Sequence, residues 1–294
     1  MRQRVITGII FTVLVAAFVI PSYWFPGIMI AFALVVGAVS TYEMIKAVKA
    51  GGMKPCVPLV VLGDLIPLLI LLVSYFMKIQ MTTALCYYLL IMLLYAMACV
   101  VMPSVIRTDG EIYLHDGLVT AALILYITFP LYCLCSVSIF PEKGWFYLIP
   151  ALFASWVSDT CAYFSGVTLG KHKIVPHISP KKTWEGCIGG ALGCALAVMI
   201  YFDLIIYRLD DFNADIIVFS VIAFVLGLVM SVMSQLGDWV ASLVKRRVGI
   251  KDYGNLFPGH GGMLDRFDSA FFTIPSGVLL ALIVEFFKNM GVGI

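Results

Sequence analysis

Residues 242–268 contain the residue types and spacings most typical of chemistry in this sequence. The stretch begins with cations that can bind phosphate oxygens. These cations are Lys245, Arg246, Arg247 and Lys251. Glycines then surround His260, so the backbone can turn sharply and approach a ligand without a Cβ in the way. The stretch therefore predicts a site for a phosphate-containing ligand.

A carboxylate pair follows the glycines. Asp265 and Asp268 are three residues apart, and a helix would place both on one face. Such a pair suits Mg²⁺, which takes one or two carboxylates and completes its shell with water and substrate phosphates. Cations, glycines and paired carboxylates together predict phosphoryl or nucleotidyl transfer. His260 could act as a general base, but a phosphate nucleophile needs none, which favours a phosphate contact.

A second basic segment lies at residues 170–186, with four lysines and two histidines. Lys181 and Lys182 can attract an anion, and the hydroxyls of Ser179 and Thr183 can bind its oxygens. The alternative is an ordinary basic loop that faces anionic headgroups.

Two acids occur beside apolar segments. Asp159 lies at the inner end of one of them, where a carboxylate is expected to face protein, water or a cation. A hydrogen bond to a neighbouring helix is the alternative. Asp238 belongs to a polar stripe that recurs every three or four residues and predicts a wet cavity open to the cytoplasm. The stripe comprises Ser231, Ser234, Gln235, Asp238, Ser242 and Lys245.

Composition shows which elements must position these residues. The 294 residues are 62% hydrophobic and only 12% charged, against about 25% charged in soluble domains. An all-α integral membrane protein is therefore predicted, as a polytopic bundle of about nine transmembrane helices. The spans lie near residues 5–20, 27–44, 57–77, 84–102, 118–139, 145–167, 186–207, 216–236 and 270–287. Residues 1–294 are interpreted as one membrane domain, with mainly scaffold in 1–140 and the catalytic spans and loops in 145–294.

The distribution of Lys and Arg predicts the orientation. With the N-terminus in the cytoplasm, fifteen of the nineteen Lys and Arg residues fall on the cytoplasmic side. This asymmetry is typical of the positive-inside rule. It predicts a multi-pass protein of the cell (inner) membrane whose active site faces the cytoplasm. The eight cysteines show no zinc-binding spacing and are interpreted as buried apolar residues.

The long polar stretch closely resembles the motif of the phosphatidate cytidylyltransferase (CDP-diacylglycerol synthase) family. The matching residues are Ser242, Lys245-Arg246, Lys251-Asp252, His260-Gly261-Gly262 and Asp265-Arg266-Phe267-Asp268. Residues 179–186 and the pair Ser158-Asp159 also resemble stretches of this family, so the resemblance extends over roughly the C-terminal half.

The resemblance implies that CTP and phosphatidic acid give CDP-diacylglycerol and pyrophosphate, with Mg²⁺ stabilising charge on the triphosphate. It implies Asp265 and Asp268 as the principal metal ligands, with Asp238 and Asp159 as a further ligand or support. The phosphate-binding cations would be Lys181, Lys182, Lys245, Arg246, Lys251 and Arg266. The remaining site residues would be His260, Gly261 and Gly262 in the nucleotide site, with hydrogen bonds from Ser179 and Thr183. The expected partners are CTP, phosphatidic acid and the bilayer, without a nucleic acid. The resemblance also favours a homodimer and leaves room for a second, monovalent cation.

Other functions use similar parts. A CTP-dependent polyprenol kinase or a polyprenyl-phosphate sugar-phosphate transferase is the alternative enzyme class. A transporter for an anionic solute is the alternative outside enzymes, but it gives no reason for the His-Gly-Gly and Asp-Arg-x-Asp spacing.

Overall fold

The computed structural model describes residues 2–107, 112–177, 179–209 and 215–289. Every regular element in those ranges is helical, and the only β-type pairing there consists of two isolated bridges. The all-α prediction is therefore confirmed. The α-helices are α1 (Arg2–Val19), α2 (Gly27–Ala50), α3 (Val57–Phe76), α4 (Met81–Ile106), α5 (Leu114–Ile139), α6 (Gly144–Leu169), α7 (Trp184–Tyr201), α8 (Tyr207–Leu209), α9 (Ile216–Arg247), α10 (Leu264–Phe267) and α11 (Ala270–Asn289).

A helix forms at each of the nine predicted spans. Seven helices in the described ranges are long and apolar enough to cross a bilayer, which confirms a polytopic membrane protein. The two outside this group are α6, which is 26 residues long but less apolar, and α11, whose described apolar part is Ala270–Ile283. The count of nine spans and the cytoplasmic N-terminus stay predictions.

The chain forms two compact units. The first consists of Met1–Glu142 and Val244–Phe267, and the second of Lys143–Leu243 and Asp268–Ile294. Most of the polar stretch thus groups with the N-terminal helices. The interpretation of residues 1–294 as one domain stays a prediction.

The first unit packs residues 244–267 against α1 and α2 through aromatic rings. Phe11 lies 5.4 Å from Phe257 and 5.7 Å from Phe267, measured between ring centroids. Phe32 of α2 lies 5.9 Å from Phe267. Such edge-on pairs add to the burial of apolar area and fix ring orientation. The two N-terminal helices therefore support the polar stretch directly.

The second unit brings its helices together through small residues. A Cβ at Gly190 of α7 would lie 2.9 Å from the Ser158 carbonyl oxygen of α6. Thr273 of α11 donates a hydrogen bond to the Ala151 carbonyl of α6 at 2.7 Å. Small residues and short hydroxyl bonds are the usual means of close helix packing in membranes. They hold α6, α7 and α11 as one support for the polar residues of this unit.

A mainly apolar cavity of about 390 Å³ lies in the first unit between α2, α3 and α5. Thr41 of α2 donates to the Asp64 carboxylate of α3 at its edge, over 2.8 Å. No residue of the predicted site lines this cavity.

Candidate active site

Asp265 is the centre of the polar stretch in the first unit. Its Oδ1 accepts from Lys245 Nζ at 2.9 Å, and its Oδ2 accepts from the backbone amides of Tyr253 at 2.7 Å and Gly262 at 3.0 Å. Asp265 is 9% exposed and Lys245 is 8% exposed. A buried carboxylate that accepts three hydrogen bonds is held firmly in place, because hydrogen bonds to a charged group are stronger than those between neutral groups. Asp265 thus ties the end of α9 to the loop that precedes α10.

A second carboxylate binds the same loop. Glu43 of α2 accepts from Met263 N through Oε1 at 3.0 Å and from Leu264 N through Oε2 at 2.8 Å. The side chain is 5% exposed. Sequence analysis missed Glu43, although one signal was available: it is the single acid in a 24-residue apolar helix. Ionisable residues in such helices usually have a specific partner.

The glycines of the loop are explained by these two carboxylates. A Cβ at Gly254 or Gly262 would lie 2.3 or 2.2 Å from Glu43 Oε1. Gly261 has φ +81, and a Cβ there would lie 2.7 Å from Asp265 Oδ2. Side chains at these positions would therefore collide with protein carboxylates. The glycines permit close backbone approach to Glu43 and Asp265, whereas their approach to a ligand stays a prediction.

The other predicted residues of the first unit differ in their surroundings. His260 Nδ1 lies 2.6 Å from the Thr7 hydroxyl oxygen of α1. Arg246 donates to the Ile250 carbonyl at 3.3 Å. Arg246 and Lys251 are exposed, whereas Arg266 is half-buried. Exposed cations beside this loop are accessible to a soluble polyanion.

The central contact of the second unit joins the basic segment at residues 170–186 to the polar stripe of α9. Lys182 forms an ion pair with Asp238 Oδ2, and Ser242 donates to Asp238 Oδ1 at 3.3 Å. Lys182 Nζ also lies 5.5 Å from the ring centroid of Trp239. The side chains of Lys182 and Asp238 are 22% and 27% exposed, so a soluble ligand can reach them.

Gly237 brings α9 close to Asp268. A Cβ at Gly237 would lie 2.8 Å from the Asp268 carbonyl oxygen. Asp268 Oδ1 accepts from Ser269 N at 2.7 Å, and this carboxylate is 8% exposed. The backbone approach places Asp268 beside the part of α9 that carries Asp238.

The prediction that Asp265 and Asp268 share one face of a single helix is wrong. Helix α10 ends at Phe267 and α11 begins at Ala270, so Asp268 lies in the turn between them. The cause is local: Asp268 bonds the backbone and hydroxyl of Ser269, a short-range alternative to helical hydrogen bonding.

The segment before α7 is held by Thr183. Its Oγ1 accepts from Gly186 N at 3.2 Å, which caps the helix. A Cβ at Gly170 would lie 2.8 Å from the same oxygen. Ser179 is half-buried and Lys181 is exposed. Thr183 therefore fixes the start of α7 next to Lys182.

The N-terminal part of the polar stripe joins α9 to α6 and α7. Ser231 Oγ lies 2.6 Å from Ser158 Oγ of α6, and Gln235 donates to the Cys187 carbonyl of α7 at 3.0 Å. Both serines are fully buried. Asp159, the next residue after Ser158, is exposed on α6. No group of three or more His, Cys, Asp or Glu side chains that could hold a metal is assembled in the residues that the structure describes.

Comparisons with known proteins agree with the motif. The model of the cytidylyltransferase family matches residues 2–285. The chain is similar to the phosphatidate cytidylyltransferase of Bacillus subtilis (strain 168), with 32% identity over 94% of this chain and 95% of that protein. It is also similar to the protein of that name in Staphylococcus aureus (strain COL), with 44% identity over 137 residues. That match covers 46% of this chain and spans about half, 48%, of the relative.

Proposed function

Because the chain belongs to the cytidylyltransferase family, we propose that it is an enzyme of phospholipid synthesis that converts CTP and phosphatidic acid into CDP-diacylglycerol and pyrophosphate. A phosphate oxygen of the lipid attacks the α-phosphorus of CTP. The bond from that phosphorus to the bridging oxygen breaks, and its electron pair leaves with pyrophosphate. One phosphorus–oxygen bond forms and one breaks, so no oxidant or covalent enzyme intermediate is needed.

The observation that carries the proposal is a lysine paired with a carboxylate in each unit. Lys245 bonds Asp265 and Lys182 bonds Asp238. Such pairs suit a reaction between two phosphates, because cations can receive phosphate oxygens while carboxylates hold the cations or a metal in place. The phosphate-binding set in this proposal is Lys181, Lys182, Lys245, Arg246, Lys251 and Arg266.

The carboxylates fit Mg²⁺ by the chemistry of their donors. Hard oxygen ligands suit this ion, and both Asp238 and Asp265 already face an ammonium group in the structure. The approach of Gly237 to Asp268 supports Asp238 and Asp268 as partners in one site. Asp265 and Asp159 are also proposed as metal ligands, and a second, monovalent cation belongs to the same proposal. When bound, Mg²⁺ offsets negative charge on the triphosphate.

The protein's own groups bind and orient the substrates. His260 Nδ1 lies against the Thr7 hydroxyl of α1, which orients the ring in this proposal. His260 contacts phosphate and moves no proton, because the nucleophile is already an anion. Gly261 and Gly262 shape the loop, while Ser179 and Thr183 add hydroxyls. Catalysis then comes from positioning and electrostatic stabilisation.

The membrane setting belongs to the same proposal. The lipid enters sideways from the bilayer and CTP arrives from the cytosol, with the site on the cytoplasmic side of the inner membrane. A homodimer is the proposed assembly.

The leaving group decides between this reaction and its alternatives. Purified protein with CTP and phosphatidic acid is expected to release pyrophosphate and to leave the cytidylyl group on the lipid. Release of CDP with a newly phosphorylated lipid alcohol would identify a lipid kinase instead. Release of UMP from a UDP-sugar would identify a sugar-phosphate transferase, and solute flux into proteoliposomes without any product would identify a transporter.

A further inference from the structure

We propose that Glu43 is a positioning residue that holds the loop at residues 253–265 in the conformation that receives the triphosphate of CTP. The proposal rests on the proposed function for the identity of the ligand. Its physical basis is the pair of bonds from the two Glu43 oxygens to the amides of Met263 and Leu264, at 3.0 and 2.8 Å.

Burial makes these two bonds strong. Glu43 is 5% exposed, so water competes little for its oxygens or for the two amides. Loss of the carboxylate leaves two buried N–H groups without an acceptor. The free-energy penalty for such unsatisfied groups exceeds the net stabilisation that the two hydrogen bonds provide.

The loop packs closely around the Glu43 carboxylate. Gly254 and Gly262 both approach Glu43 so closely that neither position has room for a Cβ. Two separate parts of the loop are thus held against one side chain of α2. Displacement of the Glu43 side chain would remove this contact from both parts of the loop at once.

Glu43 and Asp265 act on successive amides. The Gly262 amide bonds Asp265, whereas the next two amides, of Met263 and Leu264, bond Glu43. Asp265 in turn holds Lys245. Glu43 therefore fixes the backbone from which Asp265 reaches the lysine, although it belongs to a helix outside the motif.

This arrangement predicts a distinctive kinetic effect. If Glu43 is lost, the loop occupies the competent conformation only part of the time, and the apparent affinity for CTP falls by that fraction. Saturating CTP shifts the loop to the competent conformation, so kcat is expected to stay near the wild-type value. A merely structural role would instead lower the amount of active enzyme, reducing kcat and leaving KM for CTP unchanged.

The test compares Glu43→Gln with wild type and with Glu142→Gln, a control that makes the same charge change at an exposed position. Glu43→Gln is expected to raise KM for CTP about tenfold or more, as for loss of a charge-assisted bond, with kcat within about threefold. KM for phosphatidic acid is expected to stay unchanged. Equal KM for CTP in all three proteins, or a loss confined to kcat, would overturn the proposal.

Hydrogen exchange gives a readout that needs no catalysis. Peptides covering residues 253–265 are expected to exchange at least tenfold faster in Glu43→Gln than in wild type, with Glu142→Gln unchanged. CTP is expected to restore protection. Unchanged exchange in Glu43→Gln would refute the role of Glu43. Faster exchange in a protein that shows no turnover of CTP even as wild type would instead remove the proposed function and leave the loop contact standing.

A double-variant cycle checks the contact itself. Gly262→Ala is expected to raise KM for CTP strongly, because its Cβ would lie 2.2 Å from Glu43 Oε1. In a Glu43→Ala background the same change has room and is expected to add less than a threefold further effect. Full additivity of the two changes would contradict the proposal.

Discussion

Lys245 Nζ lies 2.9 Å from Asp265 Oδ1, and both residues are buried. The pair joins the end of α9 to the start of α10 across 20 residues. A buried ion pair of this kind adds little stability compared with well-packed apolar residues in the same place. Removal of only one partner is nevertheless strongly destabilising, because the other charge is then buried without its partner. Stability and catalysis can therefore be separated at this pair.

Lys245→Met is expected to destabilise the protein by about 3–5 kcal/mol, because the Asp265 carboxylate keeps two amides but loses its ammonium. Thermal unfolding in detergent measures this. Lys49→Met, at an exposed lysine on the last turn of α2, should change stability by less than about 0.5 kcal/mol. The double variant Lys245→Met/Asp265→Leu should regain much of the lost stability and none of the activity. Recovery of turnover in the double variant would remove the pair from the site.

Lys182→Met is expected to behave in the opposite way. The ion pair with Asp238 is partly exposed, so its loss should cost no more than about 1 kcal/mol of stability. Turnover should nevertheless fall at least about 100-fold, or near 2.7 kcal/mol of transition-state stabilisation. Steady-state kinetics and thermal unfolding of the same preparations provide the comparison, with the exposed Lys171→Met as control. A Lys182→Met enzyme with normal kcat/KM would contradict the assignment.

Thr183→Ala tests the cap of α7. Loss of the Oγ1 acceptor for Gly186 N should lower stability by about 1 kcal/mol, whereas Thr183→Ser keeps the cap and should stay near wild type. Activity should follow the same order, because the cap fixes the backbone next to Lys182. Equal melting temperatures for the Ala and Ser variants would show that the cap contributes nothing.

Sequence patterns predicted the helices and the segments that carry the basic and acidic residues, because both follow from short-range rules. Apolar length marks a spanning helix, and the motif spacing marks Lys245 and Asp265. Glu43 was missed because its partners lie 220 and 221 residues away, a separation that no local pattern encodes. The single helix expected for Asp265 and Asp268 was wrong because Asp268 bonds Ser269 and interrupts it. The proposed metal ligands and the orientation stay predictions.

The orientation can be measured by labelling. A cysteine at Lys171 should react with a membrane-impermeant maleimide from the cytoplasmic side, and one at Lys78 from the opposite side. Both lysines are exposed, so reagent access is not limited by burial. Wild type, with its eight native cysteines, sets the background signal. The reverse pattern would place the polar loops outside and exclude cytosolic CTP as their ligand.

The most direct measurement follows the α-phosphate of CTP into lipid. Purified wild-type protein with phosphatidic acid, α-labelled CTP and Mg²⁺ is expected to form labelled CDP-diacylglycerol, to stop when EDTA is added, and to resume with excess Mg²⁺. Asp268→Asn should lose at least about 100-fold in this assay, and Asp215→Asn, which keeps an acceptor for Ile217 N, should not. Undiminished labelling of lipid in EDTA, or by Asp268→Asn, would contradict metal-assisted cytidylyl transfer at these carboxylates.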